Sequence, residues 1–452
     1  MTILIKNVQL IDGTGKAPVK TDILVKSKRI SAIGNLTDYR ANEVIDGMGA
    51  YLAPGFIDIH SSQDRYLSIW NEPDQKNLLL QGVTTIIGGQ DGISLAPLVY
   101  GSLKLLQDWT DTRKINVHWH SASELLKILE KRGLGINFGT LIGYETVRKA
   151  MVGAEERSLT PNEIKVLQLL MEHSLKEGAF GVSFGEKSPY YEVKNLLEVV
   201  SKKKALYVPR GSGATMNRII KLAEESEVKT IISHLEPLEK DGAIYEQILK
   251  TISSSSSRAD VFFEVYPAES TIVQAETLRG LKKIKGDEIN IVSVPAHRFL
   301  DGQSLKTFSA NRGIAMTKGL ERLIELSEGQ AIVSYKNINF ASVLKAVGHD
   351  RAIIASTDNH LKKIPAANLL KFLEKIEKEK ILPIETAVWK LTGLPAQRLG
   401  LQNRGVVRIG NFADLVLFRG TEVKEVILNG RRVVKDGKFE DILAGEILRH
   451  QI

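Results

Sequence analysis

The 452-residue chain contains no cysteine, which excludes disulfides and any thiolate metal site. Aromatic residues make up only 6% of it, and no stretch interleaves them with basic residues. The longest basic run is Lys202-Lys203-Lys204. The formal net charge of +8 is therefore scattered over a Lys-rich surface, and no nucleic-acid partner is expected. No apolar run is long enough to span a membrane, so no membrane partner is expected either. The N-terminus, Met1-Thr2-Ile3-Leu4-Ile5, enters a strand pattern at once and lacks the layout of a signal peptide, which makes the cytoplasm the expected location. What is present is an ordinary globular composition, 43% hydrophobic and 25% charged, in a chain too long for one simple core.

The two ends have the same texture. Near the N-terminus, short apolar runs at 3–5, 8–10, 23–25 and 30–33 are punctuated by Asp12-Gly13-Thr14-Gly15 and Gly34. Near the C-terminus, a run at 413–418 is followed by two runs flanking Asn429-Gly430, a strong hairpin signal. Neither end can bury a β core alone, so together they are expected to form one small composite β-sandwich from residues 1–54 and 403–452.

Between them, at 55–402, apolar runs alternate with amphipathic helices. Eight runs read as strands: 56–60, 84–88, 138–142, 180–184, 206–209, 230–234, 262–266 and 352–357. Most are continuously apolar, as strands buried on both faces of a parallel sheet are. Capping boxes at Ser121–Glu124 and Thr160–Glu163, the latter with Pro161 at the first helical position, mark intervening helices. The fold class is α/β, a (β/α)₈ TIM-like barrel, whose site lies at the C-terminal ends of the strands. Those ends carry His60, Asp91, Arg210, His234, Tyr266 and Asp358. Two histidines and two aspartates converging there suit Zn²⁺, and an aspartate after the last strand can act as a general base.

Several other polar residues have plain structural readings. Asp58 reads as a turn-forming or supporting residue, Asp64 as a polar loop residue, and Lys187 as a surface lysine. His118 and His120 read as surface-loop residues flanking Trp119, and 253–256 reads as a solvated serine linker. His360, two residues past Asp358, is a weaker candidate for the site than Asp358 itself.

A series of motifs in order along the chain resembles the amidohydrolase superfamily, and within it the D-aminoacylase-like (N-acyl-D-amino-acid deacylase) branch. They include Ala53-Pro54-Gly55-Phe56-Ile57-Asp58-Ile59-His60, Gly92-Ile93-Ser94-Leu95-Ala96-Pro97, Ile232-Ser233-His234-Leu235, Val265-Tyr266-Pro267 and Gly410-Asn411-Phe412-Ala413-Asp414-Leu415-Val416. The resemblance implies a zinc-dependent hydrolase of non-peptide C–N bonds acting on a small N-acyl amino acid or related amide. Matched residue by residue, His60, His234 and Asp358 stand at family ligand positions, and Asp91 stands where the branch has a cysteine. Ser62 and Arg210 stand where it has histidines, and Tyr144 replaces a further histidine.

The metal set this implies is His60, Asp91, His234 and Asp358, with Asp358 as general base and Tyr266 and Arg210 lining the substrate pocket. Asp91 exchanges a soft ligand for a hard one. Arg210 has no lone pair to donate and a permanent positive charge. Two readings stand at this level. One is a deacylase-like hydrolase using metal-activated water. The other is a catalytically degenerate homologue with a binding, regulatory or structural role, in which Arg210 replaces the metal's charge by pairing with Asp91 or Asp358. The combined reversion Arg210→His with Ser62→His separates them. Wild-type activity lost on chelation supports the first, and zinc uptake and activity confined to the revertant support the second.

Overall fold

The computed structural model describes residues 1–451 except 100–102, 104–111, 113–114, 154, 156, 239–241, 256–258, 282–286 and 357–368. The terminal runs are strands, as their alternation predicts. Thr2–Leu10, Val19–Lys26, Arg29–Gly34, Glu43–Asp46 and Tyr51–Pro54 join Leu415–Arg419, Glu422–Leu428, Arg431–Lys435 and Lys438–Phe439 in one nine-stranded sheet. The seam is the antiparallel pairing of Tyr51–Pro54 with Leu415–Arg419. Asn429 and Gly430 both have left-handed backbones, with φ of 48° and 75°, as a tight hairpin requires. Because side chains alternate along a strand, Leu415, Leu417 and Ile427 face a core shared with Ile3, Ile5, Val8 and Ile23. Val416, Phe418, Val426 and Leu428 instead join the core that surrounds the barrel.

All eight expected barrel runs are strands: Phe56–Asp58, Val83–Gly88, Asn137–Thr140 (continued as Ile142–Gly143), Gly181–Phe184, Leu206–Pro209, Thr230–Ile232, Val261–Val265 and Ala352–Ile354. Strands one to three form one parallel ladder. The continuation of strand three starts the second ladder, which runs on in order to strand eight. Between strands eight and one, the Asp58 carboxylate accepts from Ser356 N at 3.0 Å and Ser356 Oγ at 2.5 Å. Asp58 is thus a supporting residue, as its sequence context suggests. Both predicted capping boxes are formed.

Two features differ from the sequence expectation. The serine run does not begin as a linker, because Ser253 and Ser254 end the helix Gly242–Ser254. Between strands seven and eight, the chain also builds an unanticipated insertion. Ser270–Gln274 and Ile289–Ser293 flank Ile332–Lys336 in an antiparallel sheet. Helices Leu305–Ala310 and Met316–Leu326 accompany it, over a separate core that includes Ile289, Ile291, Phe308, Leu320 and Leu323. Five-residue strands with one mixed face carry too little periodicity to be seen in advance. Among the described residues, no helix is long and apolar enough to cross a membrane.

The chain's last residues lie across the starts of strands three and four, opposite the mouth. Leu448 N donates to Phe138 O at 2.8 Å, and His450 N to Gly178 O at 2.8 Å. Arg404, almost fully buried, ties this tail to the sheet and barrel. It pairs with Asp414 and donates to Asn429 Oδ1 at 2.9 Å and Glu446 Oε2 at 2.7 Å, while Asn137 Nδ2 donates to Asp414 at 3.1 Å. Removing one member of such a cluster strands buried charge, so Arg404→Met is expected to lower stability to urea unfolding by about 3–5 kcal/mol.

Candidate metal centre at the barrel mouth

His60 and Asp91 leave the ends of strands one and two, and His234 leaves the end of strand six. One donor atom from each lies within 4.8 Å of those of the other two. His60 Nε2 is 3.8 Å and His234 Nε2 is 3.0 Å from Asp91 Oδ2. The opposite ring nitrogens face carboxylates: His60 Nδ1 is 3.0 Å from Glu264 Oε2, and His234 Nδ1 is 3.4 Å from Glu236 Oε1. A carboxylate behind each imidazole fixes its orientation and turns Nε2 toward the centre, as in carboxylate–histidine–metal arrangements.

Asp91 and His234 both adopt left-handed backbones, with φ of 53° and 51°. This conformation costs on the order of 1 kcal/mol for residues other than glycine. Neighbouring bonds hold the Asp91 turn in place. Gln90 Nε2 donates to Ile59 O at 2.7 Å, and Gly92 N donates to Ser183 Oγ at 2.9 Å. Gly92 itself has φ 78°, and a Cβ there would lie 1.4 Å from Glu145 Oε2. Glu145 fills that space, accepting from Gly185 N at 3.0 Å and Ser188 Oγ at 2.6 Å, and burial raises its pKa to about 7.

The electrostatics centre on Asp91. Burial alone would raise its pKa, but His234, Arg65 and Arg210 hold it well below the usual carboxylate range. Burial likewise opposes charge on His234, yet Asp91 overcomes it and brings the imidazole pKa up to about 9, with Arg210 acting in the opposite sense. For His60, burial is outweighed by Glu264, and its pKa is raised.

Ser62 is fully buried and its hydroxyl has no hydrogen-bond partner among the described residues. Arg210 Nη1 stands 3.5 Å from Asp91 Oδ2, with the side chain 36% exposed. The contact foreseen between Arg210 and Asp91 is therefore present, but a shorter one was missed. Arg65, 5% exposed, places Nη2 at 2.7 Å from Asp91 Oδ2 and donates to Gln90 O at 3.0 Å. Arg65, not Arg210, is the nearer cation to this carboxylate.

Tyr266 packs against both histidine rings, at 5.6 Å from His60 and 5.5 Å from His234, and its hydroxyl donates to Glu264. Asp58 lies beneath the site. Asp64 lies in a loop, as expected, but is buried there and accepts from Gly89 N at 2.6 Å, so it is a structural anchor. Tyr144 is in the core, bonded to Glu192 and stacked on Phe184 at 5.3 Å. His118, His120 and Lys187 are exposed. Asp358 and His360 lie outside the described residues.

Glu264 was also missed. Its signal was a lone charged residue inside the otherwise apolar strand Val261–Val265, a position where a glutamate is almost never buried unless paired.

The donor set fits one metal ion. Two imidazole nitrogens and a carboxylate are the ligand types Zn²⁺ takes, and bonds of about 2.0–2.1 Å place tetrahedral ligands about 3.3 Å apart. His60 Nε2 and His234 Nε2 are both buried without a hydrogen bond among the described residues, as ligand atoms turned toward an ion would be, and both face Asp91 Oδ2.

No family model matches the chain. It is 28% identical to a D-aminoacylase of Alcaligenes xylosoxydans xylosoxydans, over 99% of this chain and 97% of that protein. It is 26% identical to an N-acyl-D-aspartate deacylase of the same organism, over 93% and 86%. Among solved structures, a D-aminoacylase described as defining a novel subset of amidohydrolases superposes with a TM-score of 0.85 at 25% identity, covering 99% of both chains. The N-acyl-D-glutamate deacylase of Bordetella bronchiseptica, solved with zinc and a phosphonate inhibitor, has the same fold, with a TM-score of 0.82 at 24% identity and 99% coverage of both.

The carboxylate behind His60 supplies a test of the centre. Glu264→Gln keeps the shape and an acceptor but removes the charge. It is expected to weaken zinc binding about 10- to 100-fold in chelator competition, with the circular dichroism spectrum unchanged.

Proposed function

Because the chain belongs to the amidohydrolase superfamily, in its D-aminoacylase-like group, we propose that it hydrolyses the amide bond of small N-acyl-D-amino acids or closely related amides. The observation that carries this reading is the His60–Asp91–His234 cluster at the barrel mouth, with Glu264 and Glu236 behind its imidazoles. Three relatives matched over more than nine-tenths of this chain are enzymes of that kind by name, which favours hydrolysis over a non-catalytic scaffold. Bound zinc would supply a Lewis acid that activates water and polarises the amide carbonyl.

The chain's own residues do the rest. His60, Asp91 and His234 hold the ion. Glu264 orients His60 and Tyr266 together, since its Oε2 faces both. Arg210, half-open to the mouth, offers guanidinium donors to an anionic substrate group. Asp358 is assigned the general base. It takes the proton of the attacking water as the new C–O bond forms and returns it to the amine as the C–N bond breaks. The barrel is assigned to 55–402 and the composite β-domain to 1–54 with 403–452.

The zinc-loaded protein is expected to release free amino acid from N-acetyl-D-amino acids, and chelation to abolish the release. Asp358→Asn is expected to reduce kcat at least about 100-fold. A zinc-loaded wild type that hydrolyses no N-acyl-D-amino acid would overturn the reading.

A further inference from the structure

The oxygen of Asp91 that faces both imidazoles is already engaged. Arg65 Nη2 lies 2.7 Å from Oδ2, closer than His234 Nε2 at 3.0 Å, Arg210 Nη1 at 3.5 Å or His60 Nε2 at 3.8 Å. A guanidinium is permanently charged and has donors only, so it can share this oxygen with an imidazole N–H but not with a cation without mutual repulsion.

The two arginines differ in their freedom. Arg210 is a third exposed and can swing toward solvent. Arg65 is buried, on a loop locked from several sides. Its backbone N–H donates to Asp64 Oδ1 at 2.9 Å, and the other oxygen of Asp64 accepts from Gly89. Tyr66 N donates to Ser62 O at 3.1 Å and Leu67 N to Asp64 O at 2.9 Å. The Tyr66 ring packs against Val292, Ile332 and Ile272 of the inserted sheet. The Arg65 backbone is therefore held where its buried side chain reaches Asp91.

We propose that Arg65 is a built-in competitor for the metal site, a fixed cation that holds Asp91 in the absence of metal and keeps zinc binding weak and exchangeable. The inference rests on the His60–Asp91–His234 centre being the metal site. It gives the buried Asp91 carboxylate a fixed cationic partner at 2.7 Å, and it assigns Arg65 the opposite effect to Glu264: one carboxylate strengthens the metal site and one guanidinium weakens it.

The test is zinc affinity of the full-length protein by chelator competition. Arg65→Gln keeps a donor toward Gln90 O and Asp91 and removes the charge. It is expected to bind zinc at least about tenfold more tightly than wild type, because a like charge has been taken from a poorly screened site. Arg65→Lys, which keeps the charge, should stay near wild type, and Arg210→Gln should tighten binding less than Arg65→Gln. Arg65→Met serves as a second neutral variant if Arg65→Gln does not fold. Zinc binding that depends on His60 and His234 but is unchanged or weaker in the neutral Arg65 variants overturns this proposal alone. Binding that survives His60→Ala with His234→Ala overturns the metal-centre reading beneath it, and absence of binding in every form overturns both.

Discussion

A carboxylate buried at the end of barrel strand two sets the terms for everything around it. Asp91 is 8% exposed, and an ionised carboxylate so placed is costly unless partners surround it. Its partners come from separate places in the sequence: Arg65 after strand one, His234 after strand six and Arg210 after strand five. They meet only because the barrel brings the C-terminal ends of all its strands to one mouth. The strained backbones at Asp91 and His234 are tolerable for the same reason. At Asp91, the bonds from Gln90 to Ile59 and from Gly92 to Ser183 tie the turn to neighbouring strands, so the strain there is held by the scaffold.

Much of this was legible in the sequence, and the boundary between what was and was not has a physical form. The eight strands were visible because continuous apolar runs bounded by helix caps are a strong local signal. His60, Asp91 and His234 were visible because each directly follows such a run. Arg65 was not, because four residues of loop separate it from His60 and nothing local says which way its side chain turns. Glu264 could have been found, since a glutamate flanked by Val261, Phe263 and Val265 on a buried strand calls for a partner. Its partner is His60, more than two hundred residues away, and only the barrel arrangement of the strands supplies that contact. The inserted sheet was hidden because its strands are short and its hydrophobic face is completed by its own two helices.

Ser62 and Arg210, at positions where the family resemblance implies histidine ligands, affect the centre in different ways. Ser62 withdraws a donor but adds no charge, and the buried hydroxyl leaves the local field nearly as it was. Arg210 withdraws a donor and adds a cation, yet its partial exposure lets solvent screen that cation. Neither change removes the three-donor arrangement, and three protein donors with an open position are what a catalytic zinc site uses. The losses therefore bear on how many ions the mouth can hold and how tightly, before they bear on whether it can hold one.

The strand-seven pair carries this electrostatic arrangement into the pocket. Tyr266 donates to Glu264 and accepts from the His234 backbone N–H at 3.3 Å, and its ring lies against both imidazoles. Glu264 thus divides one carboxylate oxygen between the Tyr266 hydroxyl and His60 Nδ1. One buried glutamate thereby places the tyrosine hydroxyl and the imidazole together, so that removing its charge disturbs both rings at once.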